Sequence, residues 1–482
     1  METQHVAHRR TTASRTTAPQ PMAGRRTRTV GLRTACAMSA AVLLAGCSDV
    51  SHIGHSLFGK TTPIVTGYIG TVVADEPRAA LVGRDVLVHG GNAADAAAAV
   101  GMALSVTLPS RASLGGGGAC LVSRGSEAPQ AFVFLPAAPP AAASATRQAA
   151  IPMTPRGLFT MQLRYGSVEF ADLLGPSVRL ARSGTTVSRV LAQDIAAVYT
   201  PLSADEAART IFSRPDGSPL QNGDALVQPQ LASFLERMTN LGVGDLYNGA
   251  LGGIFVDGAN RAGAGLTTAS MRTAMPMQLA ALQVEQDGYT ASFLPPPADG
   301  GIGAAAAFHS GASAQGVVGT WRSEDRHGLS GDALLSAAQT LVNAGSSRSG
   351  ALPALPASTS YVVTDNKGGA VACALTDNNL FGTGRIADGT GVLLAAAPGR
   401  YPAPLLSAAI LQRRGSLVAA LAASGQNDAA DALAQAAHAA VSGTTVPHEG
   451  QGRVNASLCH GGTCQGDTDP RGGGLSVGSV NN

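Results

Sequence analysis

Lysine is almost missing from this 482-residue chain, which has only Lys60 and Lys367. Charged residues of all kinds make up 13% and aromatic residues 4%, with a single Trp. A formal net charge of +2 this thinly spread excludes the basic face that nucleic-acid binding needs. No spacing of His, Cys, Asp and Glu reads as a metal motif, so neither a metal nor a cofactor is expected. What is abundant is Gly, 60 residues, together with Ala. That composition permits tight turns and close backbone approach, but it also fits a GC-rich coding bias, which is the weightier reading. The length suffices for two ordinary cores or one large one.

The positive charge that does exist is concentrated at the front. Arg25, Arg26, Arg28 and Arg33 precede a run of small and apolar residues, 35–44, too short to span a bilayer. Leu44, Ala45, Gly46 and Cys47 follow. A basic segment, a short apolar segment and small residues at a cleavage point make a secretory signal. The cysteine placed there reads as a lipobox, with Cys47 lipidated and opening the mature chain. Met22 is an alternative start that gives a signal of ordinary length. Ser48 after the cysteine favours the outer membrane, so the expected location is the periplasm, membrane-bound through the lipid alone. In that oxidising compartment Cys459 and Cys464 are expected to close a small disulfide loop in a glycine-rich segment. Cys120 and Cys373 read as buried, unreactive thiols.

Along the mature chain, helical patterns cover residues 79–88, 93–106, 159–165, 170–183, 188–199, 230–241 and 428–441. Asn92 is placed to cap the second of these, which is apolar nearly all round and so expected to be deeply buried. The glycines Gly115 to Gly118 read as a turn entering a buried strand. Residues 304–319 look low in complexity, and 260–300 mixed. Residues 346–356 form a Ser/Gly/Pro-rich connection. The period then changes to two over 360–365 and 370–376, around a turn at Asn366, Lys367, Gly368 and Gly369, which predicts a strand hairpin. Strands are also expected at 68–74, 132–135, 391–397, 406–411 and 416–422, and a loose tail at 472–482. Helices alternating with hairpins predict an α+β layered sandwich.

Several ordered segments resemble the gamma-glutamyltranspeptidase family. They are Gly90 to Ala97 with Leu114 to Gly118; Tyr165-Gly166 with Leu173, Pro176 and Leu180-Ala181; Gly223-Asp224 with Gln228-Pro229 and Leu231-Ala232; Leu246 to Gly249; and Ser358 to Val363 with Thr376, Asn378, Phe381 to Gly384 and Gly391 to Leu394. The resemblance implies an α/β/β/α sandwich of the N-terminal-nucleophile hydrolase type and a precursor that cuts itself. The cut would fall between Ala357 and Ser358, dividing 48–357 from 358–482, two parts that stay together as a heterodimer. Ser358 would then be the nucleophile, with Thr359 as the alternative one residue on. A hydroxyl needs a base beside it, and the freed α-amine, with a reference pKa of about 7.7–8.0, supplies one. Thr376 would hydrogen-bond the nucleophile, Asn378 would line the substrate pocket, and backbone N–H groups at Gly425 and Gln426 would form the oxyanion hole. The implied substrate is a small gamma-glutamyl or related amide such as glutathione.

The match fails at the glutamyl end. Leu135 stands where the family has the Arg that clamps the donor carboxylate, and leucine cannot supply a guanidinium fork. No Asp for the donor amine is found in Ala396 to Gly399, the family's paired serines correspond poorly to Pro404 to Ser407, and the oxyanion turn reads Gly425-Gln426. Two rival functions follow: an active amidase with an altered donor, or a non-catalytic lipoprotein binding module on the same fold.

Overall fold

The computed structural model describes residues 67–140, 145–345 and 348–478. The expected signal, Met22 and Cys47 lie outside them. Two antiparallel sheets are built from thirteen strands: β1 (Gly70–Ala74), β2 (Gly117–Ser123), β3 (Gln130–Phe134), β4 (Met277–Ala280), β5 (Leu282–Gln286), β6 (Tyr289–Phe293), β7 (Thr359–Asp365), β8 (Ala370–Thr376), β9 (Ser407–Arg413), β10 (Ser416–Ser424), β11 (Arg453–His460), β12 (Thr463–Thr468) and β13 (Leu475–Val477). The first sheet runs β13-β1-β7-β8-β2-β3-β4 and the second β12-β11-β10-β9-β6-β5.

Side-chain alternation divides the apolar residues into three layers. In β7, Tyr361 and Val363 point to one core while Val362 points to another. The outer face of the first sheet packs against helices α1 (Pro77–Val88), α2 (Ala93–Thr107), α3 (Thr154–Tyr165), α4 (Phe170–Ser183), α5 (Arg189–Leu202) and α6 (Pro229–Leu241). The second sheet packs against α7 (Gly300–Ser310), α8 (Gly331–Ala344) and α9 (Ala429–Ser442). Between the sheets lies a layer dominated by alanine: Ala119, Ala131, Ala372, Ala374, Ala408, Ala420 and Ala422. Much of the alanine therefore has a packing role beyond any coding bias. Small side chains let the sheets approach until polar groups bridge them, as where Ser360 Oγ donates to Ala422 O at 3.3 Å and Thr364 Oγ1 lies 3.0 Å from Ser457 Oγ.

The expected cap holds. Asn92 Oδ1 accepts from the N–H groups of Ala94 and Asp95, and Asp95 Oδ2 accepts from Asn92 N, a reciprocal capping box. Every residue of α2 is buried. The glycine run permits a crossing that a side chain would block: a Cβ on Gly116 would lie 2.3 Å from Asp377 Oδ1, and one on Gly117 2.2 Å from Phe134 O.

Four expectations need correction. Cys120 and Cys373 are not free thiols; they form a disulfide, because the β8–β2 register sets them directly opposite one another. Residues 304–319 are two buried helices, α7 and the segment Ala314–Thr320, whose Ala and Gly content hid any period. Residues 472–482 are not loose throughout, since β13 pairs with β1 along the sheet edge. The strand expected at 391–397 shrinks to Val392–Leu393. Cys459 and Cys464 do form the expected disulfide, closing the hairpin whose turn is Gly461-Gly462.

Candidate active site

The connection 348–358 ends where β7 enters the centre of the first sheet, and the neighbouring strands decide what surrounds it. The β7–β8 register pairs Thr359 with Leu375, so Thr376 comes to stand beside Ser358. Thr376 Oγ1 donates to the carbonyl oxygen of Ala357 at 3.1 Å and accepts from Asn378 N at 3.0 Å. Ser358 is 1% exposed, and its Oγ has no hydrogen-bond partner among the described residues. A buried, unpaired hydroxyl is uncommon, because leaving it unsatisfied costs about 1–3 kcal/mol.

On the other flank of β7, Asp75 follows β1. Its Oδ2 accepts from Thr359 Oγ1 (2.9 Å), Ser360 N (3.0 Å) and Ser424 Oγ (3.2 Å), and its Oδ1 from Asn455 Nδ2 (2.8 Å). Asp75 thus joins both sheets at Thr359 and Ser360, the residues that follow Ser358. The hydroxyl of Thr359 is occupied there, unlike that of Ser358. Sequence reasoning missed Asp75, because no local pattern around it signals a partner 284 residues away.

Gly425 closes β10 with φ +111, and a Cβ there would lie 2.5 Å from Gln451 O. Gln426 also has positive φ, +57. Its Nε2 donates to Leu355 O, while Asn427 Nδ2 donates to Pro353 O and Asn427 Oδ1 accepts from Leu355 N. The turn therefore grips the stretch that leads into Ser358.

Asn378 has φ +57, and its Nδ2 donates to Ala396 O at 3.0 Å. It lies behind Thr376 and is not among the residues lining the Ser358 cleft. Between them Asp377 is wholly buried, accepting from the N–H and O–H of Ser113. Those donors favour the carboxylate, but burial outweighs them and pushes its pKa up to about 7.

A cleft of about 440 Å³ opens over Ser358, with Ala357, Gly425, Gln426, Arg111, Asp194 and Arg453 in its walls. Arg111 and Asp194 form a bidentate pair, both contacts 2.7 Å. Neither residue stood out in the sequence; Arg111 sits just ahead of the glycine run, an overlooked signal. Leu135 packs against the inter-sheet layer and is not part of the cleft wall.

This layered arrangement has counterparts. Residues 79–310 match the family model described as gamma-glutamyltranspeptidase, a stretch that ends before Ser358. The chain is 33% identical over 263 residues to "Glutathione hydrolase 3" of Arabidopsis thaliana, covering 52% of this chain and 41% of the relative. It is 30% identical over 383 residues to the "Glutathione hydrolase proenzyme" of Escherichia coli (strain K12), covering 67% of this chain and 65% of the relative. The chain therefore spans less than two thirds of the length of either. Among solved structures, a cephalosporin acylase from Bacillus halodurans superposes with a TM-score of 0.68 at 16% identity, covering 87% of this chain and 98% of that one, which is a likeness of fold.

Proposed function

Because the chain belongs to the gamma-glutamyltranspeptidase family and carries the N-terminal-nucleophile hydrolase fold, we propose that it is a self-processing amidohydrolase or acyltransferase acting on gamma-glutamyl or related amides such as glutathione. The observation that carries this reading is one pairing. The unpartnered Ser358 hydroxyl adjoins the Ala357 carbonyl, and Thr376 already donates to that carbonyl.

In the first stage Ser358 Oγ attacks the Ala357 carbonyl carbon. The bond to the Ser358 nitrogen breaks, the hydroxyl proton passes to that nitrogen, and an ester links Ala357 to Ser358. Water then hydrolyses the ester, leaving an Ala357 carboxylate and a free Ser358 α-amine. In the second stage the amine takes the Oγ proton while Oγ attacks the substrate amide, and the amine product leaves with that proton. Backbone N–H groups at Gly425 and Gln426 stabilise the oxyanion. Water or an amine acceptor releases the acyl group. Asn378 acts here through its N–H, which fixes the Thr376 hydroxyl.

β1, from the first part, lies between β13 and β7 of the second, and this interleaving supports the two parts, 48–357 and 358–482, remaining a heterodimer after the cut. Two disulfides support an oxidising compartment, and with it export to the periplasm and lipid attachment at Cys47, outer membrane favoured. The test is the intact mass and N-terminal sequence of the purified protein beside a Ser358→Ala version. Two fragments with a Ser358 terminus in the first and one chain in the second are expected. One uncut chain in both would remove the amine base and favour the binding module.

A further inference from the structure

The cleft over Ser358 carries more positive charge than this chemistry uses. Arg111, Arg453 and Arg471 all line it. Arg471 is committed to Asp469 and to the carbonyls of Gly450 and Gly452. Arg111 gives Nε and Nη2 to Asp194, leaving Nη1 3.5 Å from Ser358 O. Arg453 has neither an ion pair nor a side-chain hydrogen bond among the described residues. It opens β11 opposite Ser424, one residue before the Gly425 turn. The one carboxylate in the cleft wall, Asp194, is taken up by Arg111 and by Ser110 Oγ at 2.7 Å. The cleft walls therefore have guanidinium N–H groups to offer an anion and no free side-chain acid to receive an ammonium.

We propose that Arg453, with the free edge of Arg111, anchors a carboxylate on the acyl part of the substrate, and that the preferred donor is an ω-carboxyacyl amide without an α-amine, such as a glutaryl amide. This deepens the acyl-enzyme reading of Ser358 and rests on it. Carboxylate recognition lost at Leu135 is regained from a different strand, at a point beside the oxyanion turn. A guanidinium meets a carboxylate in a charge-assisted, often bidentate hydrogen bond, and the missing acceptor makes a gamma-glutamyl ammonium costly to bury.

The test has two readouts. Glutarate and butyrate are titrated calorimetrically into wild type, Arg453→Met and Arg453→Lys, each first checked by mass for cleavage. Glutaryl-, gamma-glutamyl- and butyryl-p-nitroanilide are then compared as donors. Glutarate is expected to bind wild type, to weaken about 10- to 100-fold in Arg453→Met, and to recover in part in Arg453→Lys. The glutaryl-over-butyryl ratio of kcat/KM should fall by a similar factor, through KM. Wild type that binds glutarate no better than butyrate, or a preference that survives Arg453→Met, overturns the anchor. A gamma-glutamyl donor used better than the glutaryl one overturns the missing-amine half. If no anilide turns over but glutarate binding still depends on Arg453, the acyl-transfer reading fails while the anchor stands.

Discussion

The start of β7 is flanked by two carboxylates in opposite circumstances. On the β1 side, Asp75 receives four hydrogen bonds that hold Thr359, Ser360, Ser424 and Asn455 in place. On the β8 side, Asp377 is wholly buried, receives donors from Ser113 alone, and is pushed up to about 7. The side chains next to the Ala357–Ser358 bond differ in the same way: Thr359 is bound and Ser358, among the described residues, is not. One flank is a clamp with its polar groups satisfied. The other keeps an unpaired hydroxyl next to a carbonyl that is already hydrogen-bonded. Rigidity on the first flank is what allows an unsatisfied group to persist on the second.

The largest effect should separate the two hydroxyls. Ser358→Ala should abolish cleavage, whereas Thr359→Ala should still cut between Ala357 and position 358, as read by N-terminal sequencing. The reverse result would exchange the roles of the flanks. Next in size is the pH response of Asp377. Its folded pKa lies above the ordinary carboxylate value, so the folded state holds the extra proton. Its contribution to stability should be full below about pH 4, fall as pH rises to about 7 by up to about 4 kcal/mol, and be absent above. Urea unfolding of the uncut Ser358→Ala protein, with and without Asp377→Asn, isolates that slope; an unchanged slope would mean that Asp377 is charged in the fold. Asp75→Asn should cost about 2–3 kcal/mol in the same measurement, since it disturbs several donors at once, and it should slow cleavage as well. A cost under about 0.5 kcal/mol would deny the clamp. The smallest effect expected is from Thr376→Val, about tenfold slower self-cleavage, near 1.4 kcal/mol, with a normal fold by circular dichroism. Unchanged kinetics would take Thr376 out of the site.

Much of the frame around Ser358 is visible in the sequence. Alternation in 360–365 and 370–376, with a four-residue turn between them, is a local signal for the hairpin; that Thr376 belongs beside Ser358 came from the family resemblance. The Asn92 cap and the buried helix behind it are equally local. What could not be read depends on distant partners. Asp75 gains its meaning from residues almost 400 positions later, and the pairing of Cys120 with Cys373 requires the β8–β2 register. β13 is three residues in a glycine-rich tail, made a strand only by β1. In α7, Ala and Gly carry no helical stripe because every side of the helix is covered. Arg111 and Arg453 lie more than 300 positions apart, so one cleft holding both was not foreseeable from either.

The proposed cut gives the bridge between Cys120 and Cys373 a second meaning. Its two ends fall on opposite sides of the Ala357–Ser358 bond. A protein of two fragments would otherwise be subject to dilution, because its halves would associate with a concentration-dependent equilibrium. With the bridge in place the halves are one molecule at any concentration, and separation needs a reductant as well as unfolding. The cleaved protein should therefore run as one species on a denaturing gel without reductant and as two with it. Replacing both cysteines with alanine should give two species under either condition.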